Sequence, residues 1–465
     1  MGDQPPSVYS RLEDVYNNVS VAKERLEEIR NHFLKKYDEE PTFYCRAPGR
    51  VNIIGEHIDY CGYGVLPMAL EQDIIIACSL SNDGKYRMST TVDGMQDKEV
   101  DLKDIEIKGH DWHDYYLCGH KAILAQGIDC LQGMKTLVDG TVPKSAGLSS
   151  SSALVCCSAL VSMTANNESF SRLVLGEACQ KSEKYVGIEG GGMDQAISYL
   201  AEKGTAKFVE FNPLRAVDVR LPNGVSFVIA NSLREMTKSE DPGKYYNKRV
   251  SECRIAAQIL SKKFGKEWRK TRRLVDTQNV LEKTLPEMVE LVEMLNKTPY
   301  TREEICKELE ITDDELITEC LNPTTAQAQE FKLYNRAKHV YSEANRVLRY
   351  KEVCASDVEN KTKVLGDLMN ESQESCSKDY ECSCAELDEL TEICRNAGAL
   401  GSRLTGAGWG GCTVSLVPTE KVDEFISKVK TQYYDPQPTR RERVKEALFA
   451  TEPGSGAAVL KNVEF

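Results

Sequence analysis

Apolar and polar positions divide the chain into an N-terminal helical arm and a following series of strands and helices. In residues 9–37 apolar side chains recur at helical spacing, which predicts an amphipathic helix packed on the rest of the protein. Its apolar face comprises Val15, Val19, Ala22, Leu26, Ile29 and Phe33. Between residues 43 and 221, short apolar runs alternate with helical patterns. Strands are predicted at 74–80 and 208–211, and helices at 115–126, 151–163 and 171–185.

The second half of the sequence has a different pattern. A Pro-Asn-Gly turn at residues 222–224 precedes an apolar strand, 226–231. A long helical stretch follows from 246 to 350, with breaks predicted near Pro286, Pro299 and Pro323. Strands return around Arg403 and Val414 and at 457–460. We therefore expect a helical arm at 1–40, a first domain at 41–222 and a second domain at 223–465.

Composition narrows the classes of function. The net charge of −13 over 465 residues argues against a nucleic-acid or anionic-membrane partner. The sequence has no run of about 18 apolar residues and no secretion signal. Seventeen cysteines, an odd number and partly in apolar runs, are typical of reduced cytoplasmic thiols. We expect a cytoplasmic monomer, in which an anion site must collect positive potential locally.

The densest cluster of chemically active side chains lies in CRAPGRVNIIGEHIDYCGYGVLPMAL, residues 45–70. Within ten residues it places Arg50, Glu56, His57 and Asp59 around a short apolar strand and a turn. Such fixed polar groups suit a polyhydroxylated ligand, because each hydroxyl needs a hydrogen-bond partner once it leaves water. The alternative is a charged surface loop beside a buried strand.

A second motif, PKSAGLSSSSALVCC at residues 143–157, runs from a small-residue loop into an apolar helix. Unpaired backbone N–H groups and about half a positive charge at a helix N-terminus suit a phosphate. The loop matches neither the P-loop nor the dinucleotide fingerprint. A serine N-cap on a buried helix is the alternative.

Two further stretches are rich in glycine. GSRLTGAGWGGCTVSL, residues 401–416, predicts a backbone that approaches another group closely before a strand begins, or else a hairpin loop. EGGGMDQ, residues 189–195, places Asp194 directly after three glycines, so that the backbone can bend around a ligand. An aspartate in this position is otherwise a helix N-cap.

In this order, the motifs resemble those of the galactokinase branch of the superfamily of galactokinase, homoserine kinase, mevalonate kinase and phosphomevalonate kinase. The signature GRVNLIGEHTDYNGG is similar to residues 49–62, P-x-x-x-G-L-S-S-S to 143–151, and the third motif to 401–412. Within the branch, NIIGEHIDYCGY, SSSSALVCC, GIEGGGMDQ and EEICKELEIT most resemble N-acetylgalactosamine kinases. The resemblance implies an α+β, two-domain small-molecule kinase fold. Its active site would lie in the cleft between an N-terminal ribosomal-protein-S5-like domain and a C-terminal ferredoxin-like domain.

The resemblance also implies a reaction, the transfer of the ATP γ-phosphoryl group to the anomeric hydroxyl of a galacto-configured sugar with Mg²⁺ as cofactor. Asp194 is expected to accept the hydroxyl proton. Arg50 would lie beside it and stabilise negative charge on the carboxylate and on the phosphoryl group.

Further roles come from the same resemblance. The implied sugar-binding residues are Arg50, Glu56, His57, Asp59, Gly191, Asp194 and Tyr246. The implied phosphate-binding residues are Gly147, Ser149, Ser150 and Ser151, with Lys238 as a further nucleotide contact. Ser151 and Glu183 match positions that reach Mg²⁺ in mevalonate kinases, although Glu183 would also suit a helix surface.

The residues before Met193 bear on which sugar receives the phosphoryl group, that is, on the acceptor. Galactokinases usually carry Pro-Cys-Gly-Ile here, whereas this chain has Glu-Gly-Gly-Gly at 189–192. The missing side chains leave room for a 2-acetamido group, which predicts N-acetylgalactosamine as the acceptor and galactose as a secondary one. The alternatives are a galactokinase proper and a non-catalytic galactose sensor. The complete phosphate loop, Arg50 and Asp194 argue against the sensor.

Overall fold

The computed structural model describes residues 2–128, 132–188, 190–235 and 245–463. The strands of these residues are, in chain order, β1 (Ser7–Tyr9), β2 (Phe43–Ile54), β3 (Leu66–Ser81), β4 (Lys85–Thr90), β5 (Lys98–Asp101), β6 (Gly133–Gly140), β7 (Ala206–Glu210), β8 (Arg215–Val219), β9 (Val225–Asn231), β10 (Tyr300–Thr301), β11 (Glu330–Phe331), β12 (Gly401–Leu404), β13 (Cys412–Pro418), β14 (Leu448–Thr451) and β15 (Ala458–Leu460).

The α-helices are, in chain order, α1 (Val19–Tyr37), α2 (Trp112–Leu124), α3 (Ser150–Ala165), α4 (Arg172–Ser182), α5 (Met193–Leu200), α6 (Tyr246–Lys263), α7 (Leu274–Leu281), α8 (Leu285–Leu291), α9 (Arg302–Leu309), α10 (Asp313–Glu319), α11 (Leu333–Ala355), α12 (Lys361–Ser375), α13 (Ala385–Ala397), α14 (Val422–Val429), α15 (Pro438–Glu442) and α16 (Val444–Ala447). None of the helices in the described part of the chain combines the length and the apolar character of a membrane-spanning segment.

Two mixed layers of sheet and helix form the core, as expected for an α+β protein. The first sheet has seven strands in the order β1-β15-β2-β3-β6-β4-β5, and the second has four in the order β12-β13-β9-β14. Helix α3 lies against β2 and β3 on one side and α2 on the other, so it is apolar nearly all round rather than on one stripe. Strand β15, from the end of the chain, lies in the first sheet. The domain boundary near residue 222 stays a prediction.

The N-terminal arm differs from its prediction at its start. The helix begins at Val19, where the Asn18 side chain accepts a hydrogen bond from the Val21 N–H, and not at residue 9. Tyr9 instead ends β1, and Leu12–Asp14 form a short 3-10 helix before α1. Strand β1 pairs in parallel with β15, a long-range contact that local periodicity does not reveal. The predicted apolar face is buried at Ala22, Leu26, Ile29 and Phe33.

The long helical stretch of the second half consists of separate helices. The predicted breaks are present: residues 282–284 separate α7 from α8, and no α-helix of the described residues includes Pro299 or Pro323. Pro286 itself lies in the first turn of α8, because a proline there lacks only an N–H that would be unpaired anyway. Thr284, Thr301 and Thr312 each form a capping box with a glutamate three residues later, which fixes the starts of α8, α9 and α10. The short antiparallel pair of β10 and β11, which encloses α9 and α10, was not predicted.

A buried ion cluster fastens the arm to the first sheet. Asp73 on β3 is inaccessible to solvent and accepts hydrogen bonds from Tyr16 Oη (2.6 Å), Arg25 Nη1 (2.6 Å) and Arg46 Nε (2.5 Å). Burial alone would raise the pKa of Asp73, but the two guanidiniums lower it below its usual value. The carboxylate therefore stays ionised and compensates two buried cations.

We predict that Asp73→Asn lowers the free energy of unfolding by about 3–5 kcal/mol, because it leaves the Arg25 and Arg46 charges without their shared carboxylate. Urea unfolding at pH 7 measures this loss. The matched control is Asp97→Asn, which removes the exposed partner of Lys36 and should change the free energy by less than about 1 kcal/mol. Equal losses in the two variants would contradict the structural role given to the cluster.

Candidate active site

Arg50 and Asp194 lie next to each other, although 144 positions separate them in the sequence. Arg50, on β2, donates from Nε to Asp194 Oδ1 at 2.8 Å, and Asp194 lies in the first turn of α5. The Arg50 Nη1 donates to the carbonyl oxygen of Gly147. One nearly buried guanidinium thus connects the carboxylate to the serine-rich loop.

That loop has the features of an anion site. Ser149 is the N-cap of α3 at a positive φ of 61°, and its Oγ is buried without a hydrogen-bond partner. The first N–H groups of α3 point out of the same helix end, where the helix dipole favours negative charge. An orphaned buried hydroxyl at a helix N-terminus fits a phosphate oxygen.

The third motif packs against this loop backbone to backbone. The Cys412 N–H donates to the carbonyl oxygen of Ala146 at 2.9 Å. A Cβ on Gly406 would lie 2.3 Å from the carbonyl oxygen of Gly147, and one on Gly411 would lie 2.7 Å from that of Ala146. The glycines of the third motif are therefore required for close approach to the phosphate loop.

A cavity of about 330 Å³ extends from the loop. Arg50, Gly147, Ser149, Ser150 and Ser151 line one end of it. The other end is mainly apolar and aromatic, and it is lined by Val92, Met95, Trp112, Tyr115, Val138 and Leu154. This lining, with a serine-rich loop beside apolar and aromatic side chains, suits the phosphates and the base of a nucleotide.

Glu183 is almost buried and faces the same region as Asp194. It accepts a hydrogen bond from Ser152 Oγ at 2.7 Å, and the same hydroxyl lies 3.5 Å from Asp194 Oδ2. Ser152 therefore links the two carboxylates. Of the two residues predicted to reach Mg²⁺, Ser151 lines the cavity beside the serine-rich loop and Glu183 lines the small cavity around Asp194.

Glu56 lies at the buried end of the first motif. Its Oε1 accepts from the Gly406 N–H at 2.8 Å and lies 3.5 Å from Arg403 Nη1. Burial raises the pKa of Glu56, while Arg403 and Arg50 act in the opposite direction. The charge of this carboxylate thus depends on its cationic neighbours.

His57 has both ring nitrogens in hydrogen bonds to protein atoms. Nε2 lies 2.9 Å from the carbonyl oxygen of Ala407, and Nδ1 lies 2.8 Å from Tyr60 Oη. A carbonyl oxygen only accepts, so Nε2 carries the proton and Nδ1 accepts from Tyr60 in the neutral ring. The predicted sugar contact through a ring nitrogen would have to compete with these bonds.

Asp59, Gly191 and Tyr246 meet at the other side of the site. A Cβ on Gly191 would lie 2.5 Å from Asp59 Oδ2, so that only glycine allows the aspartate its present position. Tyr246, at the start of α6, is nearly buried. Burial, followed by the negative charges of Asp59 and Asp194, raises the pKa of Tyr246 well above its ordinary value.

Comparison with known proteins decides the family. A galactokinase galactose-binding signature matches residues 31–80, the N-terminal domain of GHMP kinases matches 115–202, and their C-terminal domain matches 355–435. A galactokinase of Dictyostelium discoideum is 44% identical over 98% of both chains. The chain belongs to the galactokinase family. A galactokinase of Saccharomyces cerevisiae is 35% identical over 94% of both chains.

Solved structures agree with the fold of the galactokinase family. The structure of Lactococcus lactis galactokinase complexed with galactose has a TM-score of 0.71 at 25% identity, and covers 93% of this chain and 99% of that one. Methanococcus jannaschii mevalonate kinase, at 18% identity, has a TM-score of 0.52 and shares the fold, with coverage of 88% and 98%. The predicted two-domain α+β kinase fold is thereby confirmed, and the chain is a galactokinase-type sugar phosphotransferase.

Galactokinases, as GHMP kinases, use ATP with Mg²⁺. In this member of the family, the structure brings Arg50, Glu56, His57, Asp59, Glu183, Gly191, Asp194 and Tyr246 around one small cavity. Gly147, Ser149, Ser150 and Ser151 line the neighbouring nucleotide cavity, as noted above. Lys238, predicted as a nucleotide contact, lies outside the described residues.

Sequence analysis missed several residues of the site. Trp112 and Tyr115 open α2 and line the apolar end of the nucleotide cavity, but they carry no phosphate motif and resemble any amphipathic helix start. Ser152 was overlooked among four successive serines. Helical geometry was the available signal, since neighbouring positions on a helix point about 100° apart and only one of them faces Glu183.

We predict that Asp194→Asn folds normally and lowers kcat by at least about a hundredfold, because an amide accepts no proton from the acceptor hydroxyl. The substitution preserves the shape and an oxygen acceptor for Arg50. Sugar-dependent ADP release measures kcat, and circular dichroism checks folding. The control, Asp423→Asn, changes an exposed carboxylate on α14 and should leave kcat unaltered. Near-normal turnover of Asp194→Asn would refute proton acceptance by this residue.

Proposed function

We propose that this galactokinase-family enzyme transfers the γ-phosphoryl group of ATP to the anomeric hydroxyl of galactose. The Arg50–Asp194 contact carries the proposal, because it lies where the small polar cavity and the phosphate loop meet. The names of the relatives and the galactose complex of the Lactococcus lactis enzyme support galactose as the acceptor.

In the proposed step, the anomeric oxygen forms a bond to the γ-phosphorus while the bond from that phosphorus to the β,γ-bridging oxygen breaks. Asp194 takes the hydroxyl proton, and ADP leaves with the bridging electrons. Arg50 has a double role here. Its guanidinium orients Asp194 and lies close enough to the Gly147 loop to stabilise negative charge on the transferring group.

The nucleotide side of the site rests on the cavity of about 330 Å³. We propose that the loop from Gly147 to Ser151 holds the phosphates and that Trp112 and Tyr115 contact the base. The Ser151 hydroxyl and the Glu183 carboxylate would hold Mg²⁺, since both supply the hard oxygen ligands that this ion prefers. When bound, Mg²⁺ neutralises charge on the phosphates.

On the acceptor side, we propose that Glu56 and Asp59 accept hydrogen bonds from sugar hydroxyls and that Tyr246 covers the ring. Glu56 and Tyr246 are buried and Asp59 is partly buried, which supports this assignment, because a hydroxyl gains most from a fixed acceptor when water is excluded. Gly191 contributes by leaving Asp59 its space. His57 is proposed to shape the pocket through Ala407 and Tyr60, with any sugar contact made at the cost of one of those bonds.

One observation favours a second acceptor, N-acetylgalactosamine. A Cβ placed on Gly190 would meet no atom within 4 Å, in contrast to Gly191. Gln180 fixes the backbone here, because its Nε2 donates to the Gly190 carbonyl oxygen at 2.8 Å. Next to Gly190, a larger cavity of about 960 Å³ opens between α4 and α6. A 2-acetamido group would find room beside Gly190, and the comparisons do not distinguish the two sugars.

We predict that Gly190→Cys lowers kcat/KM for N-acetylgalactosamine at least about tenfold more than for galactose, because the thiol fills space that only the larger sugar needs. Coupled ADP release with both sugars measures this ratio. Glu168→Cys places the same thiol on the surface at the far end of α3 and serves as the control.

An unchanged ratio would remove Gly190 from acceptor selection. Activity of the wild type with galactose alone would exclude the second acceptor. Sugar binding without ADP release from either sugar would overturn the proposed reaction in favour of the non-catalytic sensor.

A further inference from the structure

The acceptor loop, residues 52–57, belongs to the first half of the chain but is bound by groups of the second half. Thr405 Oγ1 accepts from the Asn52 N–H at 3.0 Å and donates to the Asn52 carbonyl oxygen at 3.1 Å. His339 on α11 lies with Nε2 3.0 Å from the Glu56 carbonyl oxygen. The backbone of the loop is thus fixed at both of its ends from outside.

Arg403 on β12 is the central cation of this contact. It is fully buried, and its Nη1 lies 3.2 Å from the Asn52 carbonyl oxygen and 3.5 Å from Glu56 Oε1. Its Nε donates to Ser372 Oγ at 3.0 Å. One side chain therefore contacts both the backbone and the carboxylate of the acceptor loop, although about 350 residues separate them in the sequence.

Glu343 on α11 completes the contact from the opposite side. Its Oε1 accepts from the Gly55 N–H at 2.9 Å and from Ser372 Oγ at 2.6 Å. Gly55 has a φ of 112°, which only glycine adopts readily, so this N–H points in a direction that a regular strand would not give. Burial would raise the pKa of Glu343, but Arg346 and Arg403 lower it to about 2.

We propose that Arg403 and Glu343 are positioning residues for acceptor recognition: Arg403 holds the Glu56 carboxylate, and Glu343 holds the backbone at Gly55. The proposal rests on the proposed function, in which Glu56 accepts hydrogen bonds from the sugar. Neither residue lines the small cavity itself, so both act through Glu56 and Gly55. Arg403 opposes the rise that burial causes in the pKa of Glu56, so removing Arg403 raises that pKa further and favours the protonated carboxyl, which has one acceptor site fewer.

The test compares Arg403→Met with wild type in steady-state kinetics against galactose and ATP over a range of pH. We expect KM for galactose to rise at least about tenfold and KM for ATP to stay within about twofold, because a displaced Glu56 weakens the binding of the sugar and not that of the nucleotide. The acid limb of kcat/KM for galactose should move to higher pH by about one unit or more. Arg403→Lys, which retains the charge, should restore part of both effects.

Glu343→Leu and Glu343→Gln separate the second residue from the first. Leucine removes the acceptor of the Gly55 N–H and should raise KM for galactose without moving the acid limb upward. Glutamine keeps an acceptor oxygen and should restore most of the affinity. Asp73→Asn serves as the control, since it removes a buried carboxylate whose partners Tyr16, Arg25 and Arg46 lie outside residues 52–57. All assays are run at a temperature at which circular dichroism shows each variant folded.

The outcomes are distinguishable. A selective rise in KM for galactose, with the pH shift confined to the Arg403 variants, supports the proposal. Arg403 and Glu343 variants that behave like Asp73→Asn, with lower thermal stability and unchanged KM for galactose, overturn it and leave the proposed function intact. A wild-type enzyme that releases no ADP with either sugar overturns both.

Discussion

The site depends on one constraint, that a loop from the first half of the chain is kept in place by buried charges from the second. Arg403 and Glu343 are both fully buried and form an ion pair with each other. Arg403 also pairs with Glu56, and each of the two residues binds a backbone group of residues 52–55. A buried charge is costly unless its partners are in place, so the arrangement tolerates little displacement of either half. In the proposed function, acceptor recognition is therefore a property of the assembled molecule and not of the first motif alone.

A second connection joins the chemistry of the two substrates. Arg50 binds Asp194 through one nitrogen and the phosphate loop through another, and both partners come from separate helix starts. The planar guanidinium fixes the angle between these partners as well as their distance. The glycines of the third motif pack against the same loop, where any side chain would meet backbone atoms. Asp194, the serine-rich loop and the third motif are consequently joined through Arg50 and through close backbone contacts.

Sequence reasoning succeeded where local chemistry determines structure. The apolar run of α3 and the motif residues around Arg50 and Asp194 were both visible in short stretches of sequence. It failed where contacts between residues distant in the sequence determine the structure. The start of the arm as β1, the Asp73 cluster and the contact of Glu343 with Gly55 each join residues that are tens to hundreds of positions apart. The aromatic end of the nucleotide cavity was missed because shape, unlike charge, leaves no mark on a single sequence.

The strand order of the first sheet also affects how the chain folds during its synthesis. Strand β15 lies between β1 and β2, so the arm's first strand has no partner in the sheet until the last described strand has been synthesised. During translation β2 therefore has an unpaired edge until β15 is made, and unpaired strand edges promote aggregation. The buried polar cluster at Asp73 binds the helix that follows β1 to β2 and β3, all of them early in the chain. It would keep the arm near its final position while the ribosome completes the strand that closes the edge.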